Sequence, residues 1–262
     1  MAQDYTVDYT PQEFMVVCAA RQIGDGEVVF VGMRLPLLAF ALAKRTHAPR
    51  AVGLFENGLV RDTPSAELLR TMGDAPNITG AEWATRTSAL MGLMAQGAVN
   101  LGFVGGAEVD RFGNLNTSEI VGPGGDPRRP QLALPGSGGG ADIASLAGRL
   151  AIIMAHERKR FPERVSYITS PGYGDGGDWR RHVGLPRGGP AVVITTLATL
   201  TFEATTHEMQ LQSWRPDVTA EQVEANTGWA LRRAPDAQPA LAPTADELRI
   251  IRECDPEGFW TR

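Results

Sequence analysis

The residue whose type and position best suit chemistry is Glu56, in Phe55-Glu56-Asn57-Gly58. It directly follows an apolar run, residues 51–55, that reads as a strand. In open α/β sheets ligands bind outside the carboxyl ends of the strands, so a carboxylate there suits a nucleophile or a base. The plainer alternative is a solvent-facing turn residue, because Asn57-Gly58 is a common tight-turn pair. A second stretch is Gly136-Ser137-Gly138-Gly139-Gly140-Ala141-Asp142. Such glycines let the backbone approach a ligand closely and turn N–H groups, those of Gly138 and Gly139 among them, toward an anion or an oxyanion. The stretch also fits G-x-G-x-x-A, with Glu157 downstream as a dinucleotide site would want. Against that, no clear strand enters the turn, and a glycine-rich connection without a ligand is common. A third stretch is Gly105-Gly106-Ala107-Glu108-Val109-Asp110, followed by Phe112-Gly113-Asn114-Leu115-Asn116. Asp110, Asn114 and Asn116 can position a polar ligand or cap the Gly113-Asn114 turn through side-chain to backbone bonds, and the turn role is the expected one.

Other chemistries find little support. His47, His156, His182 and His207 form no i, i+4 pair, and no H-E-x-x-H occurs. The two cysteines, Cys18 and Cys254, make neither a disulfide framework nor a ligand cluster, so no metal is expected. There is no G-x-S-x-G nucleophile elbow and no P-loop lysine. A net charge of −5 argues against a nucleic-acid partner. No apolar run reaches the roughly 18 residues of a membrane span. Residues 1–10 are polar and acidic, unlike a signal peptide, so a reducing, cytoplasmic setting is expected.

The elements that must position these residues follow from pattern. Thr10-Pro11-Gln12-Glu13 opens a helix, with Thr10 as cap, Pro11 in the first position and Glu13 completing a capping box. Phe14, Val17 and Cys18 continue it as an apolar stripe. Residues 28–31 and 51–55 read as strands joined by a helix at 35–44, a parallel crossover unit. Beyond them, 87–96 reads as helix, 101–104 as strand, 120–135 as a Gly- and Pro-rich loop and 143–149 as a short helix. Residues 150–155, 165–168 and 191–195 read as strands, and 200–202 with 209–211 as a hairpin. Helices are expected at 220–225 and from Thr244-Ala245-Asp246-Glu247 to about Glu253. Without repeats or linkers, the 262 residues form one expected domain, residues 1–262, of α/β class: an open, largely parallel sheet flanked by helices.

Taken in order, the motifs are specific. Gly32 to Pro36, Lys44-Arg45 to Ala48-Pro49, Glu56 with Gly58, Phe103 to Asn116 and Gly136 to Gly139 come first. His156-Glu157, Thr169-Ser170-Pro171-Gly172, Gly184-Leu185-Pro186 and Asn226-Thr227-Gly228 follow. Together they resemble the class I CoA-transferases, in particular B (β) subunits of the glutaconate CoA-transferase type, from about Tyr5 to Pro256. The resemblance implies that family's fold, shared with the NagB/RpiA-like proteins. It also implies ping-pong catalysis in which Glu56 attacks an acyl-CoA and carries CoA as a glutamyl thioester. Gly138 and Gly139 would serve the oxyanion, and Asn57, Gly106 and Asn114 are candidate substrate-positioning residues. CoA is then a substrate, and neither a cofactor nor a metal is implied. An A (α) subunit is the implied partner, in an A2B2 or larger assembly. The acid is a carboxylic or dicarboxylic acid, whose second carboxylate Arg34 and Arg61 are candidates to meet, surface salt links being their plainer role. A CoA-thioester hydrolase or decarboxylase on the same scaffold is the alternative.

Overall fold

A computed structural model of the chain describes residues 8–122, 125–126, 128–185 and 187–262. Residues 1–7 of the polar opening stretch and Pro186 of the Gly184-Leu185-Pro186 motif lie outside them. In chain order the elements are α1 (Pro11–Ala20), β1 (Val28–Phe30), α2 (Leu35–Arg45), β2 (Val52–Phe55), β3 (Leu59–Arg61), α3 (Ala75–Ile78), β4 (Trp83–Ala84), α4 (Thr87–Ala95) and β5 (Leu101–Val104). Then come β6 (Glu108–Val109), β7 (Leu115–Asn116), β8 (Glu119–Ile120), β9 (Leu132–Ala133), α5 (Gly140–Leu146), β10 (Arg149–Met154) and a 3-10 turn, Arg158–Arg160. The last are α6 (Trp179–His182), β11 (Pro190–Thr195), β12 (Ala198–Phe202), β13 (Met209–Trp214), α7 (Ala220–Ala225), β14 (Arg232–Pro239) and α8 (Ala245–Cys254). The described chain packs as two compact units: Met1–Phe103 with Leu241–Arg262, and Val104–Ala240.

The first unit is built on the crossover read from sequence. β1 pairs in parallel with β2 and β5, while β3 and β4 continue antiparallel beyond β2. The capping box holds as expected: the Thr10 hydroxyl accepts the Glu13 N–H at 3.1 Å and the Glu13 carboxylate accepts the Thr10 N–H at 2.8 Å. Burial of α1 goes beyond a stripe, since every residue from Glu13 to Ala20 is buried, which is what an almost wholly apolar helix requires. α1 and α8 pack on α2. α2 in turn lays Phe40 on β2 at Gly53, where a Cβ would come within 2.9 Å of the ring. Burying that ring contributes about 2 kcal/mol.

The second unit sets β10 parallel to β11, continues antiparallel through β12 and β13, and closes with β14 parallel to β13. The sheets are therefore open, with parallel strands that carry antiparallel additions, and helices flank them, as the expected fold class requires. The helix expected at 143–149 starts earlier, as α5, because the glycine turn leads straight into it. Residues 165–168 are not a strand. The Val165 N–H reaches toward the Asp110 carboxylate, the Ser166 hydroxyl bonds Glu108 and the Glu119 carbonyl, and Tyr167 and Ile168 are exposed. Side-chain bonds there have taken the place of a ladder.

Candidate functional site

Glu56 sits at the tip of the β2–β3 hairpin. Phe55 pairs with Leu59, and the Gly58 N–H donates to the Phe55 carbonyl at 2.9 Å, leaving Glu56 and Asn57 as the central turn residues. Gly58 takes φ +99, and a Cβ on it would lie 2.1 Å from the Thr85 carbonyl oxygen, so only glycine fits. The tip is then pinned from outside. The Thr85 N–H donates to the Gly58 carbonyl at 2.8 Å, and the Thr87 hydroxyl donates to the Glu56 carbonyl at 2.7 Å. The result is a half-buried carboxylate on a fixed backbone, at the end where the parallel strands β1 and β2 finish. It makes no hydrogen bond or ion pair among the described residues. Glu56 is thus a turn residue that also stands at the carboxyl end of a parallel strand. Asn57 is exposed and donates its amide to the Met72 carbonyl at 2.6 Å.

The loop that receives Asn57 is organised by Arg61, a role sequence reading missed. Arg61 is buried and forms neither a surface salt link nor an open carboxylate site. Its guanidinium donates to the carbonyls of Thr63 and Thr79 at 2.9 Å, and also to that of Asn77. Alternation across Leu59-Val60-Arg61, once a strand is recognised there, turns Arg61 to the buried side and was the available signal. Arg34 behaves differently: it is exposed and lies over the Trp260 indole, 5.4 Å from the ring centre.

The remaining sequence candidates belong to the second unit, where β7 draws three motifs together. Asn114 is fully buried and spends its whole amide on the protein. Its nitrogen donates to the Asp110 carboxylate at 3.0 Å and to the Gly174 carbonyl at 2.8 Å, and its oxygen accepts the Gly172 and Gly174 N–H groups at 3.0 Å. Burial pushes the Asp110 carboxyl up from the ordinary carboxylate range, against the pull of Asn114 and the Phe112 N–H. Asp110 and Asn114 thus act as turn formers, and any effect of Asn114 on a substrate runs through this loop. Gly106 faces the Leu115 side chain, which a Cβ would approach to 2.6 Å. Leu115 bonds Ser170 through its backbone, and the Thr117 carbonyl accepts the Gly136 N–H at 2.8 Å.

In the glycine stretch, Gly136 and Gly138 take positive φ, +97 and +48, and Gly139 precedes α5. Gly139 is buried, Gly138 exposed, and neither N–H has an acceptor among the described residues. Two free amide donors on adjacent residues suit an oxyanion. The dinucleotide pattern fails on topology: the strand before the turn is β9, a two-residue strand paired antiparallel with β8, not a strand of a parallel crossover.

His156, at the carboxyl end of β10, is buried flat against Phe161 at 4.1 Å, its ring nitrogens 3.0 Å from the Thr195 hydroxyl and 3.2 Å from that of Thr227. Burial lowers its pKa from 6.5 to about 4, so it is neutral at physiological pH. The unfolded chain takes up this proton at 6.5 and the folded chain only near 4. Stability from this residue is therefore complete above about pH 6.5 and falls as the pH drops to 4, by up to about 3 kcal/mol. Urea unfolding across pH 4–7 is expected to show this loss in the wild type and its absence in His156→Gln; parallel profiles would contradict it. Among the described residues no group of three or more His, Cys, Asp or Glu could hold a metal ion, and no helix is long and apolar enough to cross a membrane.

Comparison with known proteins finds relatives along nearly the whole chain. The profile of the Coenzyme A transferase family matches residues 13–226. The B subunit of the 3-oxoadipate CoA-transferase of Pseudomonas knackmussii is 40% identical over 245 residues, covering 93% of this chain and 92% of that protein. The B subunit of the glutaconate CoA-transferase of Acidaminococcus fermentans is 35% identical over 259 residues, covering 95% and 93%. The crystal structure of glutaconate CoA-transferase from that organism superimposes with a TM-score of 0.90 at 34% identity, over 99% of both chains.

Proposed function

This chain belongs to the coenzyme A transferase family, and from that premise we propose that it is the B subunit of a heteromeric CoA-transferase working through Glu56. The observation that carries the reading is the half-buried carboxylate of Glu56, unpartnered among the described residues, on a pinned hairpin tip where parallel strands end. A carboxylate is a weak nucleophile in water, and holding it in place and partly desolvated is what makes attack feasible.

A Glu56 carboxylate oxygen attacks the acyl-CoA carbonyl carbon, the C–S bond breaks, and CoA leaves as thiolate, giving a mixed anhydride. The thiolate attacks the glutamyl carbonyl, releases the first acid as its carboxylate and leaves a glutamyl-CoA thioester. A second carboxylate reverses both steps and departs as the new acyl-CoA. Each addition passes through an oxyanion, and one backbone donor to such a group is worth roughly 3 kcal/mol elsewhere. Within the second unit, we assign to the N–H groups of Gly138 and Gly139 the binding of an anionic group. Asn57 and the loops around Gly106 and Asn114 are assigned to shaping the substrate sites. CoA enters as substrate, with no metal or prosthetic group. The relatives named for 3-oxoadipate and glutaconate support a dicarboxylic acid as the partner substrate. Both are B subunits of their enzymes, which supports an A subunit that completes an A2B2 or larger assembly. We assign the chain to the cytoplasm, where the reduced thiols of Cys18 and Cys254 persist.

The test is product analysis on the co-expressed complex. Acyl-CoA is supplied with and without an isotope-labelled carboxylic acid. The expected result is labelled acyl-CoA formed only with the acid, and little free CoA without it. Steady release of CoA with no acceptor would replace the reading by the hydrolase or decarboxylase alternative.

A further inference from the structure

We propose that Arg34 is a specificity-determining residue that takes the distal carboxylate of a dicarboxylic substrate while the other carboxyl group reacts at Glu56; this rests on the transferase reading above. Three observations within the first unit carry it. The first is conformation. Among the described non-glycine residues only Arg34 and His207 have positive φ, and Arg34 combines φ 69 with ψ −122, a region glycine occupies freely and side chains rarely do. A bulky residue kept there has a use for its side chain. The second is availability. The Arg34 guanidinium has no hydrogen-bond acceptor and no acid among the described residues, and the Trp260 indole face it lies over orients it without using its N–H donors. Arg61, by contrast, has its donors committed to loop carbonyls.

The third is placement. Phe30 pairs with Leu54 in the parallel ladder, and the Val31 N–H donates to the Leu54 carbonyl at 2.8 Å. The ladder ends there: Gly32 and Arg34 follow β1 and Glu56 follows β2, so both side chains belong to segments that leave the carboxyl ends of adjacent parallel strands. One loop supports both groups. The Trp260 indole N–H donates to the Leu69 carbonyl at 2.9 Å, and the Asn57 amide to the Met72 carbonyl at 2.6 Å. Leu69 and Met72 are three residues apart, at most about 10 Å of chain. The Arg34–Trp260 pair and the Glu56–Asn57 tip are therefore both fastened to one short stretch of chain. A guanidinium is the fitting receptor, since it binds a carboxylate through two parallel N–H bonds.

The experiment compares two five-carbon acceptors, glutarate and valerate, on the co-purified complex in which this chain is wild type, Arg34→Gly or Arg34→Lys. Glycine adopts this backbone without strain, so Arg34→Gly is expected to melt no lower than wild type. Its kcat/KM for glutarate is expected to fall about a hundred-fold while that for valerate stays within about threefold, with Arg34→Lys recovering part of the loss. Calorimetric binding of both acids reads the same discrimination without turnover, so an enzyme that binds but does not transfer would sink the transferase reading and still judge Arg34. Equal losses on both acids would mean that Arg34 serves CoA or the scaffold and would overturn the assignment. So would an undiminished preference for glutarate in Arg34→Gly.

Discussion

Replacing Glu56 with alanine is expected to lower kcat/KM for CoA transfer by about ten-thousand-fold, roughly 5.5 kcal/mol of transition-state stabilisation. The size follows from the role: without the carboxylate neither the anhydride nor the glutamyl thioester can form, and direct attack of one substrate on the other is all that remains. Folding is untouched. The Glu56 side chain holds nothing among the described residues, and the turn is fixed by the Gly58 N–H and by the Thr87 hydroxyl on the Glu56 backbone. The melting temperature and the yield of complex with the A subunit should match wild type. Retained transfer in this variant would make Glu56 an ordinary turn residue and this chain a non-catalytic partner subunit.

The second large effect is structural. Arg61→Ala is expected to cost about 3 to 5 kcal/mol, because it strips a charged donor from the carbonyls of Thr63, Asn77 and Thr79 and leaves them facing a cavity. For a chain of this size that lowers the melting temperature by about 10 °C. Transfer is expected to fall as well, since the same loop presents the Met72 carbonyl to Asn57 beside Glu56. Arg61→Lys restores little, one ammonium being unable to span acceptors arranged around a planar fork. Thermal and urea unfolding of the two variants check this. A loss below about 1 kcal/mol in Arg61→Ala would show that the loop holds without its guanidinium.

The contrast between these two residues shows what could be read from the chain alone. Glu56 was legible because its position depends on local pattern, a short apolar run ending at a carboxylate. The capping boxes at Thr10 and Thr244 and the crossover from β1 to β2 were legible for the same reason. Arg61 was not, since its acceptors are loop carbonyls with no residue-type signature. β3 was passed over, and with it the fact that Glu56 is a hairpin tip. β14 was hidden by Pro235 and Pro239, which edge strands tolerate and the strand pattern does not anticipate. The run at 165–168 had strand composition, but Asp110, Glu108 and the Glu119 carbonyl, distant in sequence, competed for its polar groups. In the second unit, the residue type of Asn114 makes it a positioning candidate. Its amide is satisfied by Gly172 and Gly174, some sixty residues away, a closure that only the folded chain displays.

The most direct test of the central claim is to trap the covalent intermediate. The complex, co-expressed with its partner subunit, is incubated with acyl-CoA, quenched with borohydride, digested and analysed by peptide mass spectrometry. The account predicts that the peptide containing Glu56 carries CoA or the alcohol left by reduction of a glutamyl thioester, and that no other carboxylate does. An unmodified Glu56 in a preparation that consumes the thioester would contradict it and reassign the residue to a general base or a structural turn.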